Sequence, residues 1–397
     1  MRLLTPLLLV SVLAGAADWP QWRGPNRDGI SQETGLLSSW PSGGPRVVWQ
    51  TKGHGQGYSS LAIVKDRIYT QGQRGNQEFV IAFDVKTGNK MWETPTSRAY
   101  SNDRGDGPRG TPTIDGDRLY AMTGDGVLVC LDTATGKIIW SQNVAQTYRG
   151  SIPNWGFSES PLIDGNRLIV MPGGNGASLV SLDKFTGKLQ WKTGSDSAGY
   201  SSAVVADVGG VRQVLALSGN SAMGVMEDNG ELLWRYTKVS NRTANIATPI
   251  YRDGQVFVST AYGTGCALLK LSGKTMSEVY FNRDMKNHYS SSVLVEGTLY
   301  GYNDSILTAM NFNTGAVAWK DRSVGKGSVV YADKHIYALS ENGVVGLIEA
   351  TPEAYKEVSR FEISKGSLPT WSPPVIADGK LYLRDQDNLT CYDIKGK

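Results

Sequence analysis

Residues 127–140 read VLVCLDTATGKIIW, and the fold follows from how this stretch is built. Val127 to Asp132 alternate as a half-buried strand does, and Lys137 to Trp140 form a second short strand after a turn. Asp132 and Thr135 are residues that hydrogen-bond turn backbone, and Gly136 supplies the positive φ that such a turn requires. The spacing DxxTGxxxW recurs from Asp84 to Trp92 in FDVKTGNKMW and from Asp183 to Trp191 in LDKFTGKLQW. Variants end at Trp319 (NFNTGAVAW) and Trp234 (MEDNGELLW); before Phe281 the glycine survives in KLSGK but the tryptophan is lost.

A strand pair precedes each hairpin, introduced by DGDRLY (115–120), DGNRLI (164–169), DGQVFV (253–258) or DGKLYL (378–383). Each unit therefore carries four short strands. Innermost strands start near Tyr58, Thr111, Ser158, Tyr200, Thr248, Tyr289, Ser328 and Ser372. A repeat of roughly 40 to 50 residues in eight copies predicts an all-β, eight-bladed β-propeller. The last unit stops at CYDIKGK without its fourth strand, and PRVVWQT near the N-terminus matches the missing piece. Trp49 is expected to close the ring there, so that no sheet edge stays open within the last blade. Trp49, Trp92, Trp140, Trp191, Trp234 and Trp319 are assigned to packing between blades, each burying roughly 150–250 Å², an upper limit of about 4–6 kcal/mol.

Composition agrees with a globular all-β chain: 40% hydrophobic and 19% charged residues, with 47 glycines for turns and 11 tryptophans for packing. Residues 1–17 read as a cleavable signal peptide, with Arg2, an apolar run from Leu3 to Leu13, and small residues at Ala14 to Ala17. The expected organisation is thus a leader (1–17), an N-terminal extension (18–45) and the propeller (46–397), in the periplasm or secreted. No cysteine stands at the cleavage point to carry a lipid, and no later run is apolar enough to span a bilayer as a helix. A net charge of +3 gives no electrostatic footprint for nucleic acid or anionic membrane. Cys130 and Cys391 share one repeat position and, with Cys266, are read as core residues. His54, His288 and His335 show no metal spacing, and Asp103 and Asp106 in SNDRGDG lack the alternating oxygens of a calcium loop.

On these motifs the chain resembles the pyrroloquinoline-quinone-like propeller family over nearly its whole mature length. WPQWRGPNRDG (Trp19 to Gly29) and GPRGTP (Gly107 to Pro112) resemble a bacterial branch of it. The resemblance implies a propeller and leaves two activities open. Quinoprotein alcohol and glucose dehydrogenases hold the quinone on top of the propeller, over a vicinal disulfide or near calcium. Here no two cysteines are adjacent, and no calcium ligand set can be assigned from spacing. The propeller lipoprotein of the outer-membrane assembly machinery resembles the chain in blade count and has no active site. The expectation is a monomeric, non-catalytic scaffold binding an envelope protein or small ligand without metal or cofactor. The alternative is a degenerate quinone-dependent oxidoreductase acting on alcohols or sugars.

Residues just before the innermost strands should crowd one end of the central channel. Tyr58, Phe157, Tyr200, Tyr289 and Trp371 place aromatics there; Arg109, Asn245 and His288 add polar groups, and Trp155 adds a second large ring. Rings with a few convergent donors at a concave mouth suit binding. The competing reading is that these rings stack and fill the channel. An Arg109 without a charged partner would point to an anionic ligand. For acid or base chemistry the sequence offers only scattered candidates such as Glu159, and no nucleophile motif accompanies them.

Overall fold

The turn chemistry read from the repeat is what the computed structural model, which describes residues 18–396, displays. Asp132 Oδ1 accepts hydrogen bonds from the Thr135 N–H and hydroxyl at 2.7 and 2.6 Å, and Gly136 sits at φ 71°. Asp84 with Thr87, Asp183 with Thr186 and Asn311 with Thr314 repeat the arrangement. Each turn joins the third and fourth strands of a four-stranded antiparallel sheet, and there are eight such sheets. The expected leader, residues 1–17, lies outside the described residues.

The sheets follow one another as blades. Blade 1 runs from Ala62–Val64 to Lys90–Arg98, blade 2 from Thr113–Asp115 to Ile138–Asn143, and blade 3 from Leu162–Asp164 to Leu189–Thr193. Blade 4 spans Val204–Val208 to Leu232–Tyr236, blade 5 Ile250–Arg252 to Thr275–Asn282, and blade 6 Val293–Val295 to Val317–Asp321. Blade 7 extends from Gly327–Ala332 to Glu357–Glu362. Blade 8 takes three strands from residues 375–393 and its fourth, Arg46–Lys52, from the N-terminal side, with Trp49 opposite Cys391. The ring therefore closes as the repeat count predicts. The one α-helix among the described residues is Val144–Thr147, so none of them forms a helix long and apolar enough to cross a membrane.

The docking of each tryptophan explains why the repeat keeps both its glycine and its tryptophan. The indole N–H of Trp92 donates to Thr133 O at 3.1 Å, that of Trp140 to Lys184 O at 3.1 Å and that of Trp191 to Glu227 O at 2.9 Å. Trp49 reaches Val85 O across the closing junction at 3.0 Å, and Trp319 reaches Thr351 O at 2.8 Å. Each ring also lies on the next blade's turn: a Cβ at Gly136 would fall 2.4 Å from Trp92. That glycine thus serves the turn's φ and the neighbour's ring at once.

Three junctions depart from the pattern. In blade 5 Tyr280 stands where the tryptophan is lost, and its hydroxyl donates to Phe312 O at 3.0 Å. Trp234 faces the short Ser272–Lys274 hairpin of blade 5, which offers no DxxTG carbonyl. Its N–H donates instead to Gln213 Oε1 at 3.0 Å, and Gln213 Nε2 passes the link on to Gly273 O at 2.6 Å. In blade 7 Ser359 holds the tryptophan's register position, and Trp40 of the extension packs there against Phe361 and Tyr337.

Candidate functional site

The N-terminal extension enters the channel before it reaches blade 8. Trp19 bridges to Ile63 of blade 1 through two backbone hydrogen bonds, Pro20 O accepts from Ile114 N of blade 2, and Gly29 O accepts from Tyr331 N of blade 7. Arg23 donates to Ser291 O and Ser292 O of blade 6, and Arg27 to Ser160 O and Pro161 O beside blade 3. One short segment thus ties the inner strands of five blades. Its backbone has to bend tightly to do so: Arg23 and Arg27 both have φ near 60°, and a Cβ on Gly24 would fall 2.9 Å from the Trp19 ring. WRGPNRDG is therefore a plug. Trp22, anchored by its indole N–H on Thr248 Oγ1 at 2.9 Å, turns toward the other end of the channel.

Above Trp22 lies a cavity of 380 Å³. Seven of the nine residues named from sequence line it: Tyr58, Arg109, Trp155, Tyr200, His288, Tyr289 and Trp371. The other two are elsewhere. Phe157 is 1% exposed in the core between blades 2 and 3. Asn245 is equally buried and spends its amide on Ser218 O, Gly219 O and Asn241 O. Sequence reasoning did not find Trp22, Arg104, Tyr262 or Lys326, which also line the space. Lys326 stands just before the inner strand of blade 7, the position from which the others were inferred.

The rings do stack, yet they leave the channel open. Tyr58 and Trp371 lie 4.8 Å apart between centroids, Trp371 and Tyr289 5.6 Å, and Trp155 and Tyr200 5.6 Å. The Arg109 guanidinium sits over Tyr58 at 4.6 Å and over Trp371 at 5.8 Å. Its Nε donates to Trp155 O at 2.9 Å, and Nη2 to Gly105 O at 3.0 Å and Asn102 Oδ1 at 3.2 Å. Burial lowers its pKa from the usual arginine value. His288 shares a 2.8 Å hydrogen bond with Tyr262, and burial, then Lys326, push its imidazole down to about 4, so it is neutral at pH 7. Asp103, largely exposed, accepts from the Trp155 indole N–H at 3.3 Å and pairs with Arg104 at 3.6 Å.

No aspartate or glutamate lines the cavity. The residues therefore do not fit a calcium-bound quinone, which asks for carboxylate and amide oxygens around the cation. Cys130, Cys266 and Cys391 are buried in separate blades, and burial pushes the Cys266 and Cys391 thiols up to about 12. Glu159 is in the wall and does not face the open space: it is 4% exposed, and Oε1 accepts the Met171 N–H at 2.6 Å.

Burial pushes Glu159 up to about 8 and Glu78 to about 7, from 4.5 in an exposed carboxyl. The folded chain therefore keeps protons that the unfolded chain has released. Their stabilising contribution is complete below about 4.5 and is lost as pH rises to about 8. His54 and His288, held neutral by burial and protonated in the unfolded chain below about 6.5, act in the opposite sense up to that pH, so the melting temperature is expected to fall between about pH 6.5 and 8, and in Glu159→Gln the fall should end near pH 7, where Glu78 has titrated. A profile in the variant identical to that of the parent protein would refute the assignment.

Residues 76–321 match a family model described as outer membrane protein assembly factor BamB. BamB of Shewanella oneidensis is 24% identical over 226 residues, which cover 56% of this chain and 54% of that protein. Thus the match spans about half the length of that relative. Quinohemoprotein alcohol dehydrogenase ADH IIB of Pseudomonas putida is 32% identical over 123 residues, 28% of this chain and 17% of the enzyme. In shape the chain is similar to the crystal structure of BamB from Moraxella catarrhalis, with a TM-score of 0.64 at 16% identity, covering 89% of this chain and 98% of that one.

Proposed function

The chain belongs to the family described as outer membrane protein assembly factor BamB, and from that membership we propose that it is a non-catalytic, protein-binding propeller of the cell envelope. The contact point is the aromatic mouth. One observation carries this reading: the mouth is a preformed concave space with rigid rings and directed donors, and no aspartate or glutamate lines it. Such a surface presents contact area at low entropic cost. The scaffold works without quinone or metal and reaches the periplasm or the medium through its leader.

A photo-crosslinking residue placed at Tyr262, on the rim, tests this in the native host, with Val279 on the outer strand of blade 5 as control. A discrete protein adduct from Tyr262 and none from Val279 is expected, from the envelope fraction or medium. Equal or absent labelling at both sites would overturn the reading. The likeness to quinohemoprotein alcohol dehydrogenases over 28% of the chain favours a second reading, quinone-dependent oxidation. Saturable, calcium-dependent uptake of pyrroloquinoline quinone by the purified protein would establish it in place of the scaffold.

A further inference from the structure

Three cations line the mouth, and their partners differ. Arg104 has Asp103 at 3.6 Å and Lys326 has Glu341 at 3.5 Å. Arg109 has no carboxylate within 4 Å among the described residues. Its Nε and Nη2 are taken up by neutral oxygens, which fix the plane of the guanidinium without neutralising it. Nη1 has no protein partner, and it is not among the nitrogens sealed away from solvent, unlike Arg27 Nε. A guanidinium held in place, desolvated on its aromatic faces and left one N–H edge short is a poised anion donor. Below it, the plug supplies Trp22 as a floor, and Trp22 also closes the smaller space beneath it.

We propose that the mouth binds a carboxylate carried on a ring, with the carboxylate on Arg109 Nη1 and the ring against Trp22 of the plug. This deepens the reading of the mouth as a contact site and rests on it. Two sources share this chemistry, an aromatic acid and a sugar acid, either free or as the exposed group of a partner. The plug is then part of the site as well as of the fold: Trp22 sets the depth of the cavity, and Arg109 sets the charge it accepts. Lys326 lies over Tyr289 at 5.5 Å, and its pairing with Glu341 leaves Arg109 as the cation without a carboxylate partner in the lining.

The test compares probes on the unaltered protein, so it does not depend on a variant folding. Naphthalene-2-carboxylate and its carboxamide represent the aromatic arm, and glucuronate and glucose the sugar arm, with tryptophan fluorescence and calorimetry as readouts. In one arm the carboxylate is expected to bind at least tenfold tighter than its neutral partner. Trp22→Leu should weaken that binding about tenfold, and Arg109→Lys should remove most of the discrimination. Equal binding of charged and neutral probes in both arms, or no binding of any probe at millimolar concentration, overturns the proposal. Crosslinking at Tyr262 without carboxylate discrimination would sink this inference alone, whereas carboxylate binding without protein adducts would sink the scaffold reading and leave a small-ligand site.

Discussion

Replacing Arg384 by methionine is expected to cost about 3–5 kcal/mol of stability, because it removes a guanidinium that makes five hydrogen bonds in a buried network at the ring's closing seam. Arg384 is 1% exposed. Its Nη1 donates to Ser59 O at 3.0 Å, Thr70 Oγ1 at 2.6 Å and Gln71 O at 2.6 Å; Nε donates to Gln386 O at 2.9 Å and Nη2 to Gly55 O at 3.3 Å. These acceptors belong to blade 1, to the segment leading into it and to blade 8 itself. Methionine fills the stem's volume and satisfies none of them. Burial lowers the Arg384 pKa to about 10, with Asp387 and Asp385 opposing, so the side chain stays charged at neutral pH. Urea denaturation followed by tryptophan fluorescence reads the effect. Arg252→Met, on an exposed strand end, serves as control and should stay within about 0.5 kcal/mol of the parent. A loss below 1 kcal/mol in Arg384→Met would show that the seam is held by packing alone.

The second large effect is expected at Trp49. Truncating it to alanine removes a ring that is 9% exposed, its hydrogen bond to Val85 O and its seat on Gly88, for about 3–5 kcal/mol. The consequence is local as well as global. Arg46–Lys52 joins blade 8 through pairing with Asn388–Asp393 and the side-chain links Arg46–Asp393 and Gln50–Asn388, with no hairpin to tether it, because the strand comes from the opposite end of the chain. Its amides should lose protection against hydrogen exchange first, before those of any complete blade. Trp234→Ala removes a ring of similar burial whose strand follows its neighbour in sequence, so blade 4 should keep its protection. Equal loss at both blades would mean that the closing strand is no weaker than the others.

How much of this was legible beforehand follows from the range of the interactions involved. The DxxTG turn is made by residues three and four apart, so VLVCLDTATGKIIW announces it without help from the rest of the chain. Repetition then supplies the blade count, and the missing last strand identifies its replacement in PRVVWQT. The mouth was legible in part for the same reason: residues before successive inner strands must converge, and Tyr58, Arg109, Trp155, Tyr200, His288, Tyr289 and Trp371 line one cavity. Phe157 failed because Gly126 leaves room for its ring in the core, and Asn245 because its amide closes a loop against Ser218 and Gly219. Neither partner is near in sequence.

By itself, the sequence determined the repeating hairpin, the number of blades, the strand that closes the ring and the ring of residues around the channel. All of these follow from local patterns that repeat along the chain. Only the tertiary structure decided what the non-repeating residues do. WRGPNRDG became a plug because carbonyls of blades 3 and 6, more than a hundred residues away, accept from Arg23 and Arg27. Trp40 took over the junction that blade 7 leaves without a tryptophan. Arg109 kept a free edge because its Nε and Nη2 are taken by Trp155 O, Gly105 O and Asn102 Oδ1 while nothing among the described residues accepts from Nη1. A residue that occurs once has no periodicity to announce its neighbours, and its partners are set only when the ring closes.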